Sequence, residues 1–410
     1  MVVSPDPSVL VRYRESSAPL DGRLSSLETA LEDQPTDRLP VESAGSEMLY
    51  SSGTTGRPKG VRLPMQGGPI EQPTALENLV KAAFGLGADS VYLTPAPMYH
   101  AAPLRWAMAI QALGGTVIMS GKFDPEGALA AIERYGVNAS QWVPTHFVRL
   151  LKLPSEVKER YNVSSMKVAL HAGAPCSIDV KRAMLDWWGP VLYEYYGGTE
   201  GFGGTAIGPE EWLARPGSVG RAVLGKLHIC DDDGEEVEAG ISGGVYFEAD
   251  NLSEYFGDPQ KTAESRNKHG WATYGDIGHV DKDGYLFLTD RKAFTIISGG
   301  VNIYPAEIEN VLITHPKVQD VAVIGAPDGE MGERVVAVVQ PVDPAHVSPT
   351  LAQELEAYAR ERLSGVKVPR QYDFVDTLPR QPTGKLFKRI IRERYWDQAS
   401  IVSSAPKVEA

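Results

Sequence analysis

The run Ser51-Ser52-Gly53-Thr54-Thr55-Gly56-Arg57-Pro58-Lys59-Gly60 fixes the reading of this chain. Gly53, Gly56 and Gly60 open backbone angles closed to other residues and let main-chain N–H groups approach an anion, while Ser51, Ser52, Thr54 and Thr55 add hydroxyl donors and Lys59 a positive charge. The ordinary phosphate loop, GxxxxGK followed by Ser or Thr, does not fit, because Gly53 and Gly56 stand too close and Gly60 follows Lys59. The competing reading is a Ser/Gly surface linker, which rarely carries Pro-Lys after such an ordered pattern. The apolar Met48-Leu49-Tyr50 ahead of it reads as a buried strand, so the loop is expected to hang from a strand end, where open α/β sheets bind ligands.

Outward from that loop, strand-like runs (Val91–Thr94, Thr116–Met119, Val168–Leu170, Val191–Tyr193) alternate with helical stretches such as Pro125–Tyr135 and Ile178–Trp188. This alternation predicts a mostly parallel α/β sheet. Between Gly217 and Leu288 the pattern changes to short strands with acidic turns, Asp231-Asp232-Asp233-Gly234 and Asp281-Lys282-Asp283-Gly284. These read as hairpin turns of a smaller β subdomain; neither has the ligand spacing of a calcium loop. A compact α+β unit follows Asp290-Arg291, with a helix over Ala306–Thr314, strands Val321–Gly325 and Val335–Pro341, a helix from Pro349 to Leu363 and a last helix after Thr383. The expected organisation is a lead-in over 1–44 with one helical patch (Leu24, Leu27, Leu31), a large α/β domain over 45–290, a mobile C-terminal domain over 291–398 and a disordered tail over 399–410.

At 410 residues the chain exceeds one ordinary core. Its net charge of −13, without a basic cluster beyond Lys385, Lys388 and Arg389, argues against nucleic acid as the main partner. Two cysteines, Cys176 and Cys230, fit a reducing cytoplasm rather than a disulfide framework and lack metal-ligand spacing. No stretch approaches the about 20 apolar residues of a membrane span, and the N-terminus lacks a signal pattern.

Four further motifs stand in order along the chain: Tyr195-Tyr196-Gly197-Gly198-Thr199-Glu200, Gly275-Asp276, Asp290-Arg291 and Pro382-Thr383-Gly384-Lys385. Together with the Ser51–Gly60 loop, they make the chain resemble the acyl-adenylate-forming superfamily, in particular fatty-acyl-CoA and 4-coumarate-CoA ligases, over nearly everything after Gly45. The resemblance implies a two-step reaction. A carboxylate attacks the α-phosphate of ATP to give acyl-AMP and pyrophosphate, and the thiol of CoA then displaces AMP.

It also implies roles for residues. Ser51, Ser52, Gly53, Thr54, Thr55, Gly56 and Lys59 would wrap the β and γ phosphates; Thr199 would contact the α-phosphate and Glu200 help hold Mg²⁺, which wants hard oxygen ligands. Tyr196 would stack on the adenine, with the backbone of Ala172, Gly173 and Ala174 on the other side of the ring, and Gly197 counts among the cofactor-binding residues. A core tyrosine is the alternative. Asp276 would accept hydrogen bonds from the ribose hydroxyls and Arg291 make a second ribose or phosphate contact, unless it is a salt-bridged arginine at a domain boundary. Lys385 would be the adenylation lysine, arriving when the C-terminal domain closes; that domain would then rotate and present Ser298, Gly299 and Gly300 to the CoA arm. A tight bend unrelated to CoA also explains that glycine pair.

His100 matches a position that lines the acyl pocket in similar enzymes; a hydrogen-bonded structural histidine is the alternative, with His146 and His171 weaker candidates. Trp106, Trp142 and Val143 shape the pocket or belong to the core. Ala293 stands where relatives have a hinge Asp or Lys, Phe294 replaces a usual Asp and Tyr274 a usual Thr. The loop also stands closer to the start of the chain than in similar ligases, which have a further subdomain before it. The reading that results is a ligase joining an apolar carboxylic acid to CoA at the expense of ATP, with Mg²⁺. The alternatives are a carrier protein as acyl acceptor, or an impaired, shortened homologue that keeps nucleotide binding. The oligomeric state is open, a homodimer included.

Overall fold

The structure, a computed structural model, describes residues 31–38, 40–51, 59–65, 67–121, 123–250, 252–380 and 386–404. The loop positions Ser52, Gly53, Thr54, Thr55 and Gly56, the lysine Lys385, and Leu24 and Leu27 of the predicted helical patch lie outside the described residues. The described residues within 31–45 and 65–73 form a small unit of their own, in which Arg38 pairs with Glu42 and Glu71.

In the other unit, β1 (Met48–Ser51) and β2 (Lys59–Arg62) form an antiparallel hairpin with Ser51 opposite Lys59. The strand expected before the loop is present, but it is not buried and is not part of the parallel sheet. Val61 is 1% exposed, whereas Met48 and Tyr50 on the other face are 40% and 62% exposed. An apolar triplet fits a strand covered on both faces as well as the outer strand of a sheet covered on one, and composition does not separate the two.

The chain then builds a seven-stranded sheet from β3 (Val91–Thr94), β4 (Thr116–Met119), β5 (Ala139–Trp142), β6 (Val168–His171), β7 (Leu192–Gly197), β8 (Gly204–Ile207) and β9 (Arg221–Leu224), in the order β4-β3-β5-β6-β7-β8-β9. Strands β3 to β7 pair in parallel; β8 and β9 add on antiparallel. The crossover helices start and stop where the sequence says they should. Asp124 accepts from the Gly127 N–H, Pro125 opens helix Pro125–Tyr135, and Gly136 closes it at φ +59°. Ser177 caps Ile178–Trp188 in the same way. One sheet face buries Leu129, Ile132, Trp142, Phe147, Met184 and Trp188, and the other Val80, Tyr92, Trp106, Ile110 and Leu170. Coverage on both faces buries the central strands throughout, β5 and β6 at every position.

Next come β10 (Lys226–Cys230), β11 (Gly243–Glu248), β12 (Glu254–Tyr255), β13 (Asp276–Val280) and β14 (Leu286–Arg291). Strands β10, β11, β13 and β14 make a four-stranded sheet in that order, while β12 returns to pair with β2. Both acidic turns serve as hairpin turns. Asp231 Oδ1 accepts from the N–H groups of Asp233 and Glu235, Asp281 Oδ1 from those of Asp283 and Tyr285, and Gly234 and Gly284 take φ +80°.

The C-terminal sheet holds β15 (Ile296–Ser298), β16 (Val301–Ile303), β17 (Val318–Asp328), β18 (Gly332–Pro341) and β19 (Gln371–Phe374), with β18 pairing β15, β17 and β19. Helices Pro305–Leu312 and Pro349–Arg360 cover one face through Ile308, Leu312, Leu351 and Leu355. The last helix, Lys388–Ser404, runs into the stretch read as a tail. Asp290 Oδ2 accepts from the Ala306 N–H at 2.8 Å, tying the end of the four-stranded sheet to the first turn of helix Pro305–Leu312. Among the described residues both cysteines are free, and no helix is long and apolar enough to cross a membrane.

Candidate active site

Strands β6 and β7 lie side by side, and the segments that leave their C-terminal ends carry the first candidate residues. After β6, Ala172, Gly173 and Ala174 form an open shelf; Gly173 takes φ +85°, which a side chain would strain. At the end of β7, Tyr196 is half-buried, with its ring edge-on to Tyr274 (centroids 5.8 Å apart) and beside Phe247. Its hydroxyl donates to Asp276 Oδ2 at 2.7 Å. Burial and the adjacent Asp276 carboxylate push the Tyr196 phenol well above its usual range, so it stays a donor.

Asp276 is the first residue of β13 and 9% exposed. Its other oxygen, Oδ1, takes the Nε–H of Arg291 at 3.1 Å, Arg291 being its register partner at the end of β14. Arg291 is therefore salt-bridged across a hairpin, the alternative raised for it, and through that bond it also orients the ribose candidate. Each Asp276 oxygen keeps a lone pair beyond these bonds, enough to accept hydroxyl donors.

Gly197 and Gly198 lead into Thr199 and Glu200. A Cβ on Gly198 would lie 2.4 Å from Tyr274 Cε1 and 2.8 Å from Glu200 Oε2, so only glycine fits. Tyr274 cannot easily yield: its hydroxyl donates to the Gly203 carbonyl (2.9 Å) and accepts from the Gly203 N–H (3.2 Å), and its ring stacks on Phe202. The residue that departs from the usual threonine thus braces the loop from below.

Glu200 is gripped from β12. Tyr255 Oη donates to Glu200 Oε1 at 3.0 Å and Ser253 Oγ to the Glu200 carbonyl at 2.5 Å. Lys59, first residue of β2, sits with Nζ 5.5 Å from the Tyr255 ring centroid. Desolvation, followed by repulsion from Lys261, lowers the Lys59 pKa against the pull of Asp258 and Glu200. Among the described residues no group of three His, Cys, Asp or Glu side chains could cage a metal. A Mg²⁺ here would have Glu200 as its protein carboxylate and take its remaining oxygens from phosphate and water, the usual manner of Mg²⁺ at nucleotide sites.

Arg105, absent from the sequence-based candidates, joins three segments: its own helix, Ala101–Ala112; the residue before β1, by an ion pair to Glu47 at 2.5 Å; and the Thr199 carbonyl at 3.4 Å. His100 occupies the N-cap position of that helix without capping it. Its Nε2 is buried and has no hydrogen-bond partner among the described residues, and burial lowers its pKa. Both ring nitrogens of the fully buried His171 share that lack of a partner, so it does not by itself set His100 apart. His146 has its partners within the fold: its ring lies tilted against Phe123 with centroids 4.0 Å apart, it accepts from the Val143 N–H, and burial drives its pKa down to about 3. His171 is fully buried, and Trp106 and Trp142 belong to the two core clusters.

Ser298, Gly299 and Gly300 lie elsewhere, at the β15–β16 hairpin. Ser298 pairs with Val301, and Gly299 and Gly300 form a two-residue turn with φ +56° and +78°. A hairpin turn of this hand needs positive φ at both central positions, so turn geometry accounts for both glycines. A Cβ on Gly299 would also strike Met331 Cε at 2.4 Å.

The profile of the AMP-binding enzyme family matches residues 6–255, and that of the AMP-binding enzyme C-terminal domain residues 307–385. The first match begins inside the stretch read as a lead-in. A feruloyl-CoA synthase of Amycolatopsis sp is 37% identical over 371 residues, 89% of this chain and 73% of that enzyme. The fatty acid–[acyl-carrier-protein] ligase ScoC of Streptomyces coeruleorubidus is 33% identical over 405 residues, 96% of this chain and 75% of its own length. Among solved structures, ATP-bound MatB from Rhodopseudomonas palustris is 30% identical with a TM-score of 0.73, over 86% of this chain and 68% of that one.

Proposed function

We propose, for a chain that belongs to the AMP-binding, adenylate-forming enzyme family, that it activates an apolar carboxylic acid with ATP and transfers the acyl group to the thiol of CoA. The observation that carries this reading is the buried Asp276 carboxylate, held by Tyr196 and Arg291 and facing the strand end where the Gly197–Glu200 loop begins. That arrangement suits a ribose with its phosphates directed toward Thr199, Glu200 and Lys59.

In the first step a carboxylate oxygen bonds to the α-phosphorus while the bond to the β-phosphate oxygen breaks, and pyrophosphate leaves. Negative charge grows on the leaving group, so fixed donors and cations aimed there lower the barrier. Lys59 supplies such a cation from β2, and Lys385 is the residue expected to bring the carboxylate and α-phosphate together. When bound, Mg²⁺ neutralises phosphate charge and lowers the repulsion between the reactants. His100, kept neutral by burial, has a nitrogen left over to hydrogen-bond the acid. In the second step the CoA thiol gives its proton to solvent, its sulfur attacks the acyl carbonyl, and AMP leaves with the electron pair of the broken C–O bond. The similarity to ScoC supports a second reading, in which a carrier-protein thiol takes the place of CoA.

The test is pyrophosphate release from ATP and Mg²⁺ with a panel of fatty, aryl and steroid-side-chain acids, with and without CoA. Release with at least one acid, and a thioester only when CoA is present, is the expected result. Silence with every acid overturns the ligase reading; release without thioester points to the carrier. Lys385→Ala should suppress adenylation while sparing thioester formation from supplied acyl-AMP.

A further inference from the structure

Lys59 and Glu200 carry opposite charges and both meet Tyr255, yet among the described residues neither forms an ion pair. Two opposite charges in a partly desolvated cleft should collapse onto each other. Each instead meets a different part of Tyr255: the ring face lies 5.5 Å from Lys59 Nζ, and the hydroxyl donates to Glu200 Oε1 at 3.0 Å. The negative ring face attracts the ammonium. The hydroxyl has one proton and gives it to the carboxylate.

Tyr255 is itself fixed. Its strand pairs with β2, Tyr255 opposite Val61, two residues beyond Lys59. Its backbone N–H donates to Thr262 Oγ1 at 3.0 Å, and Thr262 Oγ1 in turn donates to the Asp258 carbonyl. Beside it, Ser253 holds the Glu200 backbone. One side chain thus sets the rotamers of a cation and a carboxylate that lie on separate segments. It uses only Oε1 of Glu200; Oε2 lies over Gly198 and accepts no hydrogen bond among the described residues.

From this geometry we propose that Tyr255 is a positioning residue that keeps Lys59 and Glu200 apart and aimed, so that the ammonium stays available to phosphate and the second carboxylate oxygen to a divalent cation. The inference rests on the nucleotide reading of the site but not on the identity of the acid or of the acyl acceptor. Tyr255→Phe removes the hydroxyl and keeps the ring face. Tyr255→Leu removes both.

The experiment measures equilibrium binding of AMP and of ATP to the full chain and to both variants by calorimetry across a Mg²⁺ series, with pyrophosphate as a third ligand. For Tyr255→Phe the Mg²⁺ concentration giving half-maximal ATP binding should rise about tenfold, the lower end of what loss of an outer partner of a metal ligand costs, with AMP affinity unchanged. For Tyr255→Leu the pyrophosphate affinity should fall as well, because Lys59 is then free to pair with Glu200. Equal weakening of AMP and ATP in Tyr255→Phe would mean a merely structural role and overturn the proposal, as would an unchanged Mg²⁺ requirement. A wild-type chain that binds ATP but releases no pyrophosphate with any acid overturns the ligase reading and leaves this one standing. A wild-type chain that binds neither nucleotide overturns both.

Discussion

The two ends of the candidate nucleotide site are built on opposite plans. At the ribose end every charge is already matched: Asp276 is buried, Tyr196 and Arg291 occupy its two oxygens, and all three sit on or beside paired strands. At the phosphate end Lys59 and Glu200 are held by one tyrosine and left without a counter-charge among the described residues. A buried carboxylate without partners pays heavily for desolvation, so a group meant to recognise neutral hydroxyls is best paired beforehand. Charges meant for a polyanion and its cation lose less on binding if they have no internal partner to give up. The difference teaches that, on the proposed reading, the ribose end would recognise by a finished hydrogen-bond pattern and the phosphate end by charge held in reserve.

The comparison can be broken most forcefully at Asp276. Asp276→Ala leaves a guanidinium and a phenol unpaired, a loss of about 2–3 kcal/mol in folding stability, and should lower AMP and ATP affinity alike, by about 100-fold. Thermal unfolding and calorimetry check both. If ATP suffers and AMP does not, the carboxylate belongs to the phosphate end and the contrast fails.

Gly198→Ala probes the joint between the ends. Its methyl would drive into the Tyr274 ring, an overpacking cost of about 1–3 kcal/mol, and should slow adenylation by tens of fold. The double variant with Tyr274→Thr, which restores space under the loop, should recover most of the rate. No recovery in pyrophosphate release would show that Tyr274 is not the obstacle.

The smallest effect is in pH. The Lys59 pKa is lowered by desolvation and by Lys261, so the free protein loses that charge below the usual lysine value of 10.5. A cation that binds phosphate is needed protonated, so ATP affinity should begin to fall as pH rises toward that value, by at most about tenfold per unit. Adenosine, which meets only the ribose end, should bind without that fall. Lys59→Met should abolish the slope for ATP. An equal slope for adenosine and ATP would place the titration elsewhere.

How much of this could be read beforehand depends on how local the physics is. The helices Pro125–Tyr135 and Ile178–Trp188 were legible because their caps, Asp124 and Ser177, are neighbours of the residues they cap. The acidic turns were legible for the same reason. The role of Tyr255 was not: its hydroxyl partner lies 55 residues away, and a tyrosine in a short strand looks like any other strand former. Arg105 reaches the Thr199 carbonyl across 94 residues, and nothing in Leu104-Arg105-Trp106 announces it. Tyr274 was visible only as a departure from a pattern, its contact with Gly198 being a matter of how β7 and β13 are brought together. The opening strand, expected to be buried, is exposed on the face of Met48 and Tyr50, because apolar composition does not say how many faces of a strand are covered.

By itself the sequence determined the family and the alternation of strands and helices, and it marked the short motifs on which the proposed site is drawn, since glycine-rich turns, caps and charge types act within a few residues of one another. The tertiary structure alone decided which charges are paired and which meet only a neutral side chain: Asp276 with Arg291, and Lys59 and Glu200 each against Tyr255. Pairing is a matter of distance and burial between segments far apart in the chain, and those follow from packing rather than from spacing.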